Sequence, residues 1–198
     1  QCVDACGDQW QHSFVIDIAG RGFASRVSTE HDVALPDSAC VYCGNCIQVC
    51  PTGALMFRTE HEMRAAGTWD PDRQTRTDTI CGFCGVGCNF KAEVKGDEVV
   101  RMLPYKAGKA NHGHSCVKGR FAYGYANHKD RILKPMLREK ISDPWREVTW
   151  EEALTHAANE FRRIQYQYGR GAIGGITSSR CTDEETFLVQ KMVRAAFG

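Results

Sequence analysis

Eleven cysteines in 198 residues set the chemistry open to this chain. Ten fall into three runs: Cys2 and Cys6; Cys40, Cys43, Cys46 and Cys50; and Cys81, Cys84, Cys88 and Cys116. Cys181 stands apart. Thiolates spaced by two residues on one loop converge on a soft metal centre, and the energy of that binding is also folding energy. A disulfide framework would suit a short secreted chain. Here no export signal is read and the spacings are tight, which favours metal binding in a cytosolic setting.

Cys40-x2-Cys43-x2-Cys46-x3-Cys50-Pro51 has the spacing of the bacterial ferredoxin run. Three thiolates on one short loop wrap the corners of an iron–sulfur cubane, and Gly44 lets the backbone approach the inorganic sulfides. In two-cluster ferredoxins the cysteine before proline serves the other cluster. A four-cysteine zinc site needs only two C-x2-C pairs and gives no reason for the further Cys-Pro, so iron–sulfur is the favoured reading. Cys2-x3-Cys6 then reads as the end of a matching run. Under the crossed rule Cys6 joins Cys40, Cys43 and Cys46 in one cluster, while Cys50 and Cys2 belong to a second whose other ligands would precede Gln1. Gly7 follows Cys6 where proline is usual.

Cys81-x2-Cys84-x3-Cys88-x27-Cys116 has a different spacing and predicts a different local fold around a single [4Fe–4S] cluster. Gly82, Gly85 and Gly87 leave room for backbone beside it. A zinc ribbon is the alternative for this group taken alone. His112 and His114 are read as polar loop residues, since four thiolates already suffice.

The elements that must hold these runs are short. Leu, Ile, Val and Phe make up only 39 of the 198 residues, near the level at which disorder sets in, but the net charge is just +1. Metal sites therefore have to help hold the fold. Basic and acidic residues are balanced at 25 and 24 with no like-charge block, which gives no footprint for nucleic acid or an anionic membrane. No apolar run reaches the length of a membrane span. The alternation of Phe14, Ile16 and Ile18 with Gly20-Arg21-Gly22 predicts a hairpin over 12–28. Residues 58–79 read as a short helix plus polar linker. Phe90, Ala92 and Val94 alternate before the turn at Gly96-Asp97, predicting a second hairpin, and a short helix opens at Val117. Residues 134–144 read as a crossover. Thr149-x-x-Glu152 and Thr182-x-x-Glu185 are capping boxes for two amphipathic helices, the first stopped by Gly169. Ala172–Thr177 between them reads as a buried strand. Its end, Ser178-Ser179-Arg180 before a helix N-terminus, suits a phosphate group. The fold class expected is α+β. A ferredoxin-like part bearing two [4Fe–4S] clusters (1–57) and a linker (58–79) precede a small β-rich [4Fe–4S] module (80–133). The truncated start of an α/β domain (134–198) follows.

Cys81-Gly-Phe-Cys-Gly-Val-Gly-Cys88, Asn111-His-Gly-His-Ser-Cys-Val-Lys-Gly-Arg-Phe121 and Asn127-His-Lys-Asp-Arg131 resemble the N-terminal cluster domain of molybdopterin-dependent oxidoreductases. With the upstream cysteine run, Gly20-Arg-Gly-Phe23 and Trp145-Arg-Glu-Val-Thr-Trp-Glu-Glu152, the chain resembles the large (alpha) subunit of cytoplasmic, NAD-dependent molybdenum or tungsten formate dehydrogenases. The resemblance implies a bis-molybdopterin guanine dinucleotide cofactor carrying Mo or W. It places the Cys81–Cys116 cluster nearest that cofactor and makes Lys118 the residue bridging cluster and pterin for electron passage. It sets Ser179 and Arg180 against one guanine dinucleotide, and implies partner subunits carrying flavin and iron–sulfur centres that reduce NAD, with formate as substrate.

The family's metal-ligating cysteine or selenocysteine precedes a histidine, and this sequence has no Cys-His pair. The chain is thus expected to be an internal fragment that conducts electrons but does not oxidise formate alone, with Cys181 near the cofactor pocket and not a ligand. Rival readings are an assimilatory nitrate reductase, the large iron–sulfur subunit of NADH dehydrogenase and, from another class, a zinc-binding interaction module.

Overall fold

Cys2, Cys6, Cys46, Cys50 and Cys116 sit on or beside helices of only five residues. These helices are too short to persist alone and are held by what packs around them. The computed structural model describes residues 1–198, which divide into two units, 1–128 and 129–198.

In the first unit, helix α1 (Cys2–Cys6) packs against α2 (Asn45–Val49). Between them in sequence lies the expected hairpin, formed by β1 (Ile16–Ala19) and β2 (Arg26–Thr29). The antiparallel register pairs Ile16 with Thr29 and Ala19 with Arg26. Val15 and Ile16 are buried, whereas Phe14 and Ile18 are exposed. Phe14 precedes the strand at φ +53° and instead lays its ring over Gly7, where a Cβ would lie 3.1 Å from the ring. A side chain at position 7 would press on the Phe14 ring, which is itself largely exposed.

Helix α3 (Arg58–Ala65) follows and leads to a three-stranded antiparallel sheet in the order β3 (Gln74–Ile80), β4 (Asn89–Lys95), β5 (Glu98–Pro104). The β4–β5 hairpin turns at Gly96-Asp97 as its alternation predicts. Strand β3 is the unexpected one, because it occupies residues read as polar linker. Thr75, Thr77 and Thr79 favour extended backbone despite their polarity, and their ladder to Val94, Ala92 and Phe90 fixes the register. Phe90 is fully buried beneath α4 (Val117–Phe121). Glu93, on the opposite face of the same strand, is equally buried. Its carboxylate accepts from Arg76 Nε at 3.0 Å and from Arg101, while Arg101 also meets Glu60 of α3. Ion pairs thus fasten α3 to the sheet.

The second unit holds a two-stranded ladder, β6 (Met136–Leu137) with β7 (Arg146–Glu147), in and after the segment read as crossover. Helices α5 (Trp150–Tyr168) and α6 (Asp183–Met192) follow. Both N-caps are as expected, but only α6 completes its capping box. At α5 the Thr149 side chain accepts from the Glu152 N–H, whereas the Glu152 carboxylate turns to Arg146 at 2.5 Å. Residues 172–177 are not a strand. Arg170–Ala172 form a 3₁₀ turn, and the extended residues after it pair with no other strand, leaving Ile176 exposed. An apolar run becomes a strand only where a neighbouring strand satisfies its backbone. The chain is a mixture of helix and sheet, and none of its helices is long and apolar enough to cross a membrane.

Candidate metal centres

Cys6, at the end of α1, is brought to the loop of Cys40, Cys43 and Cys46. These four thiols line one cavity of about 130 Å³. The rest of its wall is largely apolar, with Val15, Ile16, Leu35, Leu55, Met56 and Phe121. Burial pushes the Cys46 thiol up to about 11, and Cys43, Cys40 and Cys6 reinforce the shift. Cys43 is also raised, chiefly by burial, against the backbone N–H of Asn45, which favours its thiolate. Backbone amides point at sulfur here: Tyr42 N–H donates to Cys40 Sγ at 3.4 Å. Gly44 caps α2 at φ +75°, the left-handed conformation that turns the loop around the cavity.

Cys50 does not share that cavity. It faces a second one of about 600 Å³ and receives the Leu55 N–H at 3.4 Å, which holds its thiol down at about 7. Cys2, on α1, belongs to the same helix pair as Cys50 on the flank of α2.

Cys81, Cys84, Cys88 and Cys116 form the other set. Burial raises Cys88, and the charges of Cys81, Cys84 and Cys116 add to it. A backbone bond from Cys81 N–H to the Cys88 carbonyl at 2.8 Å closes the loop, and Gly87 turns it at φ +67°. Asn111 brings in the distant fourth cysteine. Its side chain accepts from Asn89 N–H at 2.8 Å and donates to the His114 carbonyl at 2.6 Å, two residues before Cys116. His114 stacks edge-on against Trp10 at 4.9 Å, and His112 is exposed, in keeping with their reading as loop residues.

The donor chemistry fits iron–sulfur clusters. The four thiols line one cavity wall, and burial opposes the ionisation of Cys43 and Cys46, which a cationic cluster core would reverse. Two buried polar atoms beside the ligands have no partner in the protein: Asn45 Oδ1, between Cys43 and Cys46, and Ser115 Oγ, next to Cys116.

Comparison with known families agrees with this donor set. Residues 1–54 match the 4Fe-4S dicluster domain, 74–128 the molybdopterin oxidoreductase Fe4S4 domain, and 131–198 the molybdopterin oxidoreductase domain. The chain carries molybdopterin oxidoreductase domains. It is 32% identical to "Probable oxidoreductase YjgC" of Bacillus subtilis (strain 168) over 100% of its own length and 23% of that protein's. It shows the same identity and coverage with "Putative formate dehydrogenase SAB2186c" of Staphylococcus aureus (strain bovine RF122 / ET3-1). It therefore spans about a quarter of these relatives' length.

Within the molybdopterin oxidoreductase Fe4S4 domain, Lys118 lies exposed on α4, which opens directly from Cys116. The next two residues are the ones sequence reasoning missed. Gly119 is buried, and a Cβ there would stand 2.8 Å from the Phe90 ring and 3.2 Å from Cys81 Sγ, so only glycine lets α4 settle against the sheet and the cluster loop. Arg120 is 1% exposed. In the molybdopterin domain, Ser179, Arg180 and Cys181 sit in the exposed turn before α6, where the Arg180 N–H donates to Ser178 Oγ at 3.2 Å.

Proposed function

We propose that this chain is the electron-relaying segment of a formate dehydrogenase large subunit. The observation that carries this is the meeting of Cys6 with Cys40, Cys43 and Cys46 in one cavity, separate from the Cys81–Cys116 set. When bound, [4Fe–4S] clusters carry single electrons, and a molybdenum or tungsten guanine-dinucleotide pterin takes the electron pair of the substrate. The chain's own residues do the rest. Cys6, Cys40, Cys43 and Cys46 hold one cluster, Cys81, Cys84, Cys88 and Cys116 another, and Cys2 with Cys50 contribute to a third. The apolar wall of Val15, Ile16, Leu35 and Met56 excludes water from the first, and the N–H of Tyr42 tunes it.

Lys118, two residues past the last ligand, offers an ammonium to the pterin edge and offsets negative charge between cluster and pterin. Ser179 and Arg180 face one dinucleotide phosphate. Partner subunits with flavin and iron–sulfur centres pass the electrons to NAD, and the protein works in the cytoplasm. The names of the staphylococcal relatives support formate as substrate.

The test is made on the holoenzyme purified without air, with its partner subunits. Formate is expected to reduce viologen dyes and NAD and to bring up cluster signals in electron paramagnetic resonance (EPR). Nitrate reduction by reduced viologen, with no formate oxidation, would replace formate dehydrogenase by nitrate reductase.

A further inference from the structure

Arg120 is among the largest fully buried side chains in the protein, at 1% exposure, and no carboxylate partners it. Its guanidinium donates from Nε to the Cys43 carbonyl at 3.4 Å. From Nη2 it donates to the Gly113 carbonyl at 2.9 Å and to Gln48 Oε1 at 3.3 Å. The Phe90 ring lies 5.5 Å from the guanidinium carbon. At its other end, the Arg120 amide donates to the Cys116 carbonyl at 3.3 Å. One residue thus touches the backbone of a ligand from each four-cysteine set.

Its seat is built for close approach. A Cβ on Gly44 would stand 2.9 Å from Arg120 Cγ and 3.0 Å from Nε, so the side chain lies flat on the turn between Cys43 and Cys46.

A buried cation whose partners are all neutral is costly to hold unless negative charge is close by. The guanidinium is charged at neutral pH, as arginine is throughout proteins. A four-thiolate iron–sulfur cluster in the Cys43 cavity would supply the missing charge. Reduction adds one more electron to that cluster, and a fixed cation stabilises the reduced form over the oxidised one.

We propose that Arg120 is the internal countercharge that raises the reduction potential of the Cys6–Cys40–Cys43–Cys46 cluster and clamps its loop to α4 of the neighbouring cluster. This rests on the iron–sulfur reading above. The guanidinium lies on the Cys43 loop, so the effect is larger there than at the Cys81–Cys116 cluster. Electrons arriving from that neighbour are drawn toward the Cys43 side.

The experiment is potentiometric titration, followed by EPR, of the anaerobically purified holoprotein and three variants, each checked for iron content. Arg120→Gln is expected to lower the reduction equilibrium of the Cys6–Cys46 cluster at least tenfold, which is about 59 mV for a one-electron couple. Arg120→Lys, which keeps the charge, is expected to stay within threefold of the parent. Gln48→Glu places a carboxylate against the same guanidinium without removing it, and is expected to shift the cluster in the same direction as Arg120→Gln. If Arg120→Gln fails to hold iron, Gln48→Glu decides the matter. Fully loaded Gln48→Glu or Arg120→Gln protein with unchanged potentials overturns the proposal, as does Arg120→Lys shifting as far as Arg120→Gln. A parent protein without iron would instead sink the underlying iron–sulfur reading.

Discussion

Replacing Glu93 by glutamine removes one charge from the centre of the ion-pair chain between α3 and the sheet, at nearly constant volume. Both Glu93 oxygens are used, Oε1 by Arg76 Nε at 3.0 Å and Oε2 by Arg101, and the side chain has no exposed surface. Arg101 keeps Glu60, which Arg64 also holds at 2.7 Å, but its own side chain is only 15% exposed. The chain changes from three cations and two anions to three cations and one. A glutamine can still accept one bond, but its amide nitrogen then faces an arginine donor. Breaking a buried pair costs about 3–5 kcal/mol. Arg76 is 55% exposed, so water recovers its share and the net cost falls to roughly 2–4 kcal/mol. For a domain of this size that is about 5–15 °C in the apparent unfolding midpoint. Trp69, whose ring faces Arg101 at 4.7 Å and Arg64 at 5.2 Å, reports the transition by fluorescence. Arg76→Gln is the comparison and should cost less, about 1–3 kcal/mol, because Arg101 still holds the carboxylate while buried Oε1 loses a charged donor. A Glu93→Gln midpoint within experimental error of the parent, or an Arg76→Gln variant that costs more than Glu93→Gln, refutes the reasoning.

Other consequences are as direct. Cys6→Ser should remove one cluster, about four iron atoms per chain, whereas Cys50→Ser should leave the Cys6–Cys46 EPR signal intact; the reverse pattern would reject the crossed assignment. Gly119→Val should drive a methyl into Phe90 and Cys81, costing about 1–3 kcal/mol and altering the Cys81–Cys116 signal; an unchanged spectrum and midpoint would count against the close packing. Thr182→Ala should cost about 1 kcal/mol and speed hydrogen exchange in the first turn of α6.

The cysteine runs are legible because ligand spacing is a local property, and the crossed rule joins Cys6 to Cys40, Cys43 and Cys46, the thiols whose cavity it lines. The β4–β5 hairpin and the start of α4 were legible for the same reason. Strand β3 was not, because its threonines look like linker until a neighbour supplies their ladder. The stretch 172–177 erred the other way, since an apolar run without a pairing strand stays unpaired. Arg120 and Glu93 left no signal at all. Charged residues belong by default to the surface, and their burial follows only from what α3, α4 and two loops bring around them.

The central claim is that these thiols hold iron–sulfur clusters. It is tested most directly by metal and acid-labile sulfide analysis of air-free protein, with EPR after dithionite reduction. Iron and sulfide in equal amounts, with reduced-cluster signals, are the predicted result. Stoichiometric zinc in a colourless protein, without sulfide or signal, would contradict it.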